Sequence, residues 1–350
     1  MRRFLAATAF AATLGFAATA NAQNIDSKTF NVVGTWNFLT NYQVLEKPFF
    51  TDELPKLSGD KLKGNVKAVN ELNLKGTELL RLLKQGVFDM VFALPIYVED
   101  GGAIVEALDI AGVARDYKMA KDISEIWLPE MQKVMKEKHN AIILGTHTWP
   151  EQDFYCRDDV KSVEDLKGKK VRVQGTSQSD LVAALGATGV TIAFSEVVPA
   201  LEKGVVDCAI TGTMPAYKAK WPEVTKSLFR LPVGFTAGML VANLSMWNKL
   251  SPDTQALIQK AAKDLEERSW KSTQLETEDG VFCTTGTGAC PAGPPGKLIL
   301  NKPSESDLKT RDNVLNESVL KKWAARCGKE CAEKWTELIG KKYGLVAKAE

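Results

Sequence analysis

The side chains best placed for chemistry are one arginine, six cysteines and two histidines. Arg172 stands in the run Val171-Arg172-Val173, after Lys167-Gly168-Lys169-Lys170 and before Gly175-Thr176-Ser177. A β-type triplet followed by a loop and a helix start puts Arg172 at the carboxyl end of a strand, just ahead of a helix N-terminus. In open α/β sheets small ligands collect there, because loops and helix N-termini converge outside the strand ends. A solvated arginine on an edge strand competes with that assignment and is commoner on composition alone. Both stay open at this point.

The cysteines, Cys156, Cys208, Cys283, Cys290, Cys327 and Cys331, lie well beyond an N-terminal leader-like segment. An even number in an exported chain points to disulfides. Zinc competes, but His139 and His147 are far from the cysteine pairs and no ligand spacing is convincing, so no metal site is expected. Local closures, Cys283 with Cys290 and Cys327 with Cys331, leave Cys156 for Cys208. Cross-pairing of the two C-terminal pairs is the alternative.

The leader itself begins Met1-Arg2-Arg3, continues through an apolar run to Ala18 and reaches Ala20-Asn21-Ala22. The basic start, short apolar core and small-x-small site make residues 1–22 a signal peptide. Without Arg2 and Arg3 the 45 basic residues become 43, against 43 acidic ones. A neutral surface argues against nucleic-acid or anionic-membrane partners, which require a basic face. No later stretch has the length of a transmembrane helix, so the mature chain is expected to be soluble and not membrane-embedded.

The elements that must position Arg172 follow from periodicity. Residues 29–35 and 65–69 are β-type, separated by a helix over 42–57, and a second helix over 77–84 precedes a strand at 89–93. That βαβαβ order predicts a parallel sheet with helices on both faces. An amphipathic helix over 116–138 leads to a strand at 141–146 and an aromatic crossing segment over 149–157. Beyond Arg172, helices are expected over 179–185 and 196–203, the second capped by Ser195, with strands at 190–194 and 205–211. A helical segment over 214–221 then precedes β-type runs at 225–231 and 235–243. Ser251-Pro252 opens a long helix that fades near Thr277 and could brace two domains. Residues 280–295 read as a disulfide-pinned loop, and two helical segments, 305–326 and 329–343, end the chain.

The fold class is therefore α/β, two domains or lobes with a long helix spanning both. Lobe I is assigned residues 23–147 plus 236–272, and lobe II 148–235 plus 273–350, the latter with a disulfide-pinned C-terminal extension.

Five stretches carry a resemblance to a known family: LLKQGVFDMVFA at 82–93, VEDLKGKKVRVQG at 163–175, FSEVVPALEKGVVDC at 194–208, YKAKWPEVTK at 217–226 and WNKLSPDTQALIQKAA at 247–262. In this order and spacing they resemble the periplasmic solute-binding proteins of TRAP transporters, the DctP-type receptors. The resemblance implies that Arg172 pairs with a ligand carboxylate, for which its planar fork of donors is suited. It also brings Trp36, Asn37, Asn73, Trp149, Glu151, Gln174, Phe194, Thr211 and Tyr217 forward as ligand-binding candidates. Thr211 stands where many members have asparagine, and Cys208 replaces a usual glycine. Glu151 falls roughly where sialic-acid-binding members carry a second arginine, which makes sialic acid an unlikely ligand here. Against each aromatic candidate stands an ordinary core role, and against Glu151 a solvated loop acid.

The implied function is capture of a small organic acid, with aromatic or 2-oxo acids favoured, and delivery to small and large permease subunits driven by an ion gradient. The expected compartment is the periplasm, the expected state a monomer, and neither a cofactor nor a catalytic step is implied. Competing functions are the binding component of an ABC importer, a periplasmic sensor, and an exported enzyme with Cys156 or Cys208 as nucleophile and His147 as base.

Overall fold

The computed structural model describes residues 24–98 and 102–349; the signal peptide assigned to residues 1–22 lies outside the described residues. Nine strands form one sheet: β1 (Lys28–Gly34), β2 (Leu62–Ala68), β3 (Met90–Ala93), β4 (Ala141–Cys156), β5 (Lys170–Val173), β6 (Thr188–Thr191), β7 (Cys208–Gly212), β8 (Ser227–Asn243) and β9 (Ile299–Asn301). Their order is β2-β1-β3-β8-β4-β7-β5-β6, with β9 added beside β8. The parallel pairing expected from βαβαβ holds for β1 with β2 and β3, and again for β5 with β6 and β7. Between these two parallel groups, β8 and β4 pair antiparallel to each other and to β3 and β7 respectively.

The crossing segments differ from expectation. The strand at 141–146 and the crossing stretch at 149–157 are one strand of 16 residues, and the runs at 225–231 and 235–243 are one strand of 17. At roughly 3.3 Å per residue each spans about 50 Å, long enough to serve both lobes. Pro150, inside this strand, has no N–H for a ladder bond. The pair absorbs it with register shifts between Thr148 and Glu151 and between Gln152 and Phe154. Opposite, β8 carries Pro232 and Gly234, the latter at φ 134°. The middle of the β4/β8 ribbon is thus its least regular part, and both lobes hang on it.

Three helices matter for the site: α1 (Tyr117–His139), α2 (Thr176–Ala184) and α3 (Pro252–Thr285). Asp116 caps α1, accepting from the Met119 amide, and Ser251 caps α3, accepting from Thr254. The α2 helix starts at Thr176, three residues earlier than expected, which brings its N-terminus directly onto the end of β5. Ser195 does not cap the next helix; it lies inside a 3-10 turn, Phe194–Glu196, that runs straight into Val197–Glu202.

The α3 helix continues to Thr285, past the point where sequence periodicity fades, and Gly286 at φ 73° ends it. Gly280 looked like a loop residue. It is instead a contact residue, since a Cβ there would lie 2.2 Å from the Met214 amide nitrogen. Along its length α3 touches both halves of the sheet. Glu266 accepts from Thr146 in the first half, and Thr213 donates to the Thr277 carbonyl beside the second.

The disulfides are Cys156–Cys208, Cys283–Cys290 and Cys327–Cys331, the local pairing. The C-terminal helices lie against both halves. The Trp323 indole donates to the Ala103 carbonyl, while Arg326 bonds Glu106 and, on α2, Asp180.

Glu46 is buried against β1, accepting from the amide and hydroxyl of Thr35 at 2.7 and 2.8 Å. It thereby fixes the loop that carries Trp36. Burial pushes its pKa up from 4.5 to about 7, against the opposing pull of the Thr35 bonds. As pH rises from 4.5 towards 7 the unfolded chain ionises first, so folding loses roughly 3 kcal/mol over that window.

Two outcomes follow from this packing. Glu46→Gln should raise Tm at about pH 7.5 and leave it near wild type at about pH 4, as read by thermal denaturation at both pH values. Gly280→Ala should destabilise the protein by about 1–3 kcal/mol through overpacking against Met214, whereas Leu275→Ala, on the exposed side of α3, should stay within about 0.5 kcal/mol of wild type.

Candidate ligand-binding site

Strand β5 alternates its side chains, with Val171 and Val173 fully buried on one face and Arg172 on the other. Because β6 covers one side and β7 the other, β5 is not an edge strand, and Arg172 is 0% exposed. The solvated-arginine assignment is therefore excluded. Arg172 Nε donates to the Ile192 carbonyl at 2.9 Å and Nη1 to the Ile210 carbonyl at 2.8 Å. The guanidinium carbon lies 5.8 Å from the Phe194 ring and 6.0 Å from the Trp221 ring, within cation-π range. Nη2 is buried with no hydrogen-bond partner.

No carboxylate pairs with this arginine among the described residues. Burial lowers its pKa, and the Tyr97 phenol beside it works in the opposite direction. An arginine still keeps its proton in such a setting. The protein thus maintains a buried cation whose fixed partners are two carbonyl dipoles and two aromatic faces. A charge removed from water without a counter-ion is costly unless something answers it.

Next to the arginine is a small cavity of about 20 Å³. Lobe I contributes Trp36, Leu94 and Tyr97, lobe II contributes Gln174, Phe194 and Thr211, and the long strands contribute Trp149 and Thr236. Arg172 is one layer behind this wall, beneath Phe194. Tyr97 both lines the cavity and acts on the guanidinium.

The lobes touch across the cavity. Trp36 meets Phe194 edge-to-face at 5.1 Å, and the Thr236 hydroxyl donates to Gln174 Oε1 at 3.1 Å. Ile96 packs so closely on Gly175 that a Cβ there would sit 2.4 Å from Ile96 Cγ1. At the outer rim Lys75 pairs with Glu196 at 3.1 Å, both more than half exposed. Such a solvated pair adds little stability.

Of the residues singled out from sequence, Trp36, Trp149, Gln174, Phe194 and Thr211 line the cavity and Arg172 backs it. The other four are elsewhere. Asn37 is held by Asn70 and Glu71, and Asn73 is an exposed turn residue at φ 55°. Tyr217 donates to the Pro294 carbonyl at 2.8 Å, pinning the proline-rich loop. Glu151 faces Arg230 at 2.7 Å, in a cluster where Arg230 also meets Asp153 at 3.4 Å and Glu278 at 3.0 Å. Burial raises the Glu151 pKa and Arg230 opposes the shift.

Tyr97 and Thr236 went unnoticed in the sequence. Thr236 had a signal, as the polar residue in the apolar run Phe235-Thr236-Ala237-Gly238-Met239-Leu240. Tyr97 belongs to a short proline turn after β3 and had none.

Cys156 and Cys208 face each other across β4 and β7 in a disulfide, and all six cysteines are bridged. Neither offers a thiolate. His147 is buried between Phe92 and Trp149, and burial lowers its pKa to about 3. A cysteine nucleophile with His147 as base has no thiol here. Among the described residues no cluster has the make-up of a metal site, and no helix is long and apolar enough to cross a membrane.

Several known proteins share this arrangement. A solute-binding protein of Sulfitobacter sp. strain NAS-14.1 is 27% identical over 67% of this chain and 74% of its own length. The sialic acid-binding periplasmic protein of Vibrio cholerae is 30% identical over 50% of this chain, and the match spans 56% of that relative. Among solved structures, a Bordetella pertussis extracytoplasmic solute receptor binding pyroglutamic acid superposes with a TM-score of 0.80 at 18% identity, covering 89% of this chain and 99% of that one. A TRAP periplasmic solute-binding protein from Sulfitobacter sp. NAS-14.1 with bound β-D-galacturonate gives 0.78 at 16% identity, covering 89% and 100%. These neighbours are two-lobed, as is this chain. The profile of the DctP family matches residues 33–281. The chain belongs to that family, the bacterial extracellular solute-binding proteins of family 7.

Proposed function

We propose that this protein is the periplasmic receptor of a TRAP transporter, and that it captures a small organic acid between its lobes with the ligand carboxylate on Arg172. The observation that carries the proposal is the buried guanidinium, which has one nitrogen without a partner and, among the described residues, no acidic side chain to answer its charge. A ligand carboxylate supplies both the missing acceptor and the missing charge. It meets Nη2 on the side where Tyr97 stands, and the other cavity groups receive the rest of the molecule. Four aromatic rings around three neutral polar groups suit an aromatic acid or a compact 2-oxo acid.

Closure is a ligand-stabilised shift in population about the irregular centre of the β4/β8 ribbon. The closed form would then be delivered to small and large permease subunits that use an ion gradient. Names of related proteins as binders of sialic acid and of C4-dicarboxylates, together with neighbours holding sugar acids, pyroglutamate and orotate, support an acid as the ligand. No step of bond making or breaking is assigned to any residue of the site.

A thermal-shift screen of organic acids and neutral sugars tests the proposal, because a ligand that binds only the native state raises Tm. Acids should raise it and sugars should not; stabilisation by neutral sugars alone would overturn the carboxylate assignment. Arg172→Ala should abolish the acid-induced shift. It should also lower the ligand-free Tm, since the Ile192 and Ile210 carbonyls lose their donor at a cost of about 1–3 kcal/mol. Calorimetry well below the variant's Tm separates the two effects.

Gly175→Ala should weaken binding several-fold without touching the ligand, because its methyl group collides with Ile96 only when the lobes are shut. Small-angle scattering of the variant should show a more open molecule than wild type, and an unchanged affinity would place the closing contact elsewhere.

A further inference from the structure

We propose that the site selects acids carrying a single negative charge and rejects dianions of the same shape; this deepens the carboxylate assignment above and rests on it. The cavity wall contains no charged side chain. Its polar groups are the neutral Gln174, Thr211 and Thr236, set among the rings of Trp36, Trp149 and Phe194. Among the described residues Arg172 is therefore the one cation beside a ligand enclosed there, and two of its three nitrogens are already occupied by main-chain carbonyls.

The next cations along the cleft lie outside this wall. An adjoining space past Leu39, Trp149 and Pro215 contains Lys218 and Glu276, the latter with its pKa raised by burial to about 7. At the outer mouth Lys75 pairs with Glu196, and Arg326 with Glu106 and Asp180, so these two already face carboxylates.

One carboxylate neutralises Arg172 and leaves the enclosed site without net charge. A second is stranded in a wall of hydroxyls, an amide and aromatic faces, where a buried charge without a counter-ion is strongly disfavoured. An uncharged amide of the same shape meets no such obstacle, because the hydroxyls and the Gln174 amide can both donate to it and accept from it. Discrimination by charge count thus comes from what the wall lacks, and it operates without any steric difference between ligands.

The experiment uses the full mature chain and pairs of acids that differ only in carboxylate against carboxamide: succinate with succinamate, glutarate with glutaramate, and phthalate with phthalamate. Affinities are measured by calorimetry at one pH near neutrality and one ionic strength. Within a pair that binds, the monoamide should bind at least tenfold more tightly than the diacid. A diacid that binds as tightly as its monoamide, or more tightly, overturns the single-charge selectivity and leaves the carboxylate assignment standing. If no acid of either charge binds while neutral solutes do, the carboxylate assignment fails and the selectivity fails with it.

Discussion

The constraint on which the rest of this structure depends is the burial of the Arg172 guanidinium without an acidic partner among the described residues. A buried arginine in a stable core is ordinarily matched by a carboxylate. Here the protein spends two backbone carbonyls and two aromatic faces on it, enough to hold the group in place and too little to neutralise it. That arrangement needs both neighbouring strands. The Ile210 carbonyl comes from β7 and the Ile192 carbonyl from the residue just after β6, so the central placement of β5 is what makes the orientation possible. The Cys156–Cys208 disulfide ties β7 to β4 two residues before Ile210, at the register position where Cys208 also faces Val171. It stands in the framework that fixes the carbonyl, outside the cavity itself.

The proposed binding mode also requires that two lobes close on that charge without losing their common sheet. One ribbon, β4 with β8, passes through both, and its irregular middle carries Pro150 on one strand and Pro232 and Gly234 on the other. Regular ladder bonding would stiffen this point, whereas skipped register leaves the two ends firmly paired and the centre free to bend. Helix α3 braces the same span from one face, with Gly280 admitting close contact at the lobe II end. On another side, Arg326 joins Glu106 to Asp180 and thereby connects the C-terminal helices to both lobes. Relative motion of the lobes therefore has to be compatible with three connections, which favours a small hinge displacement over wide separation.

Much of this was legible in the residues. The parallel strands, the capped helices at Asp116 and Ser251 and the local disulfides all rest on short-range signals that tertiary packing did not override. What was misread has a common cause. Pro150 and Gly280 are punctuation in a local grammar, and the fold uses both inside continuous elements because a bulge absorbs the first and a tight contact requires the second. The site divides in the same way. Trp36, Gln174, Phe194 and Thr211 lie on strand ends and the loops that follow them, where periodicity predicts convergence, whereas Trp149 lies in the middle of β4. Glu151 points instead to Arg230, because its side chain falls on the face of β4 that looks towards α3, and side-chain direction on a bulged strand is not readable by counting. Tyr97 is absent from any such count since it belongs to a turn.

If Arg172 takes the ligand carboxylate as proposed, exchange energetics explain why carbonyls and not a carboxylate hold it. An internal Asp or Glu on Arg172 would have to be displaced by every incoming ligand, and the displaced side chain would itself need a new partner inside the protein. Carbonyl dipoles orient the guanidinium and remain in place when the ligand arrives, so binding adds an interaction instead of swapping one for another. The unbound state is correspondingly poorer, with a charge only partly answered. That penalty falls on the form of the protein that ligand binding is meant to deplete, and it favours the ligand-bound form in proportion to how much of the charge the ligand neutralises. The nearby Tyr97 fits the same logic, since a phenol whose pKa is raised by burial stays neutral and can stand beside the cation without cancelling it.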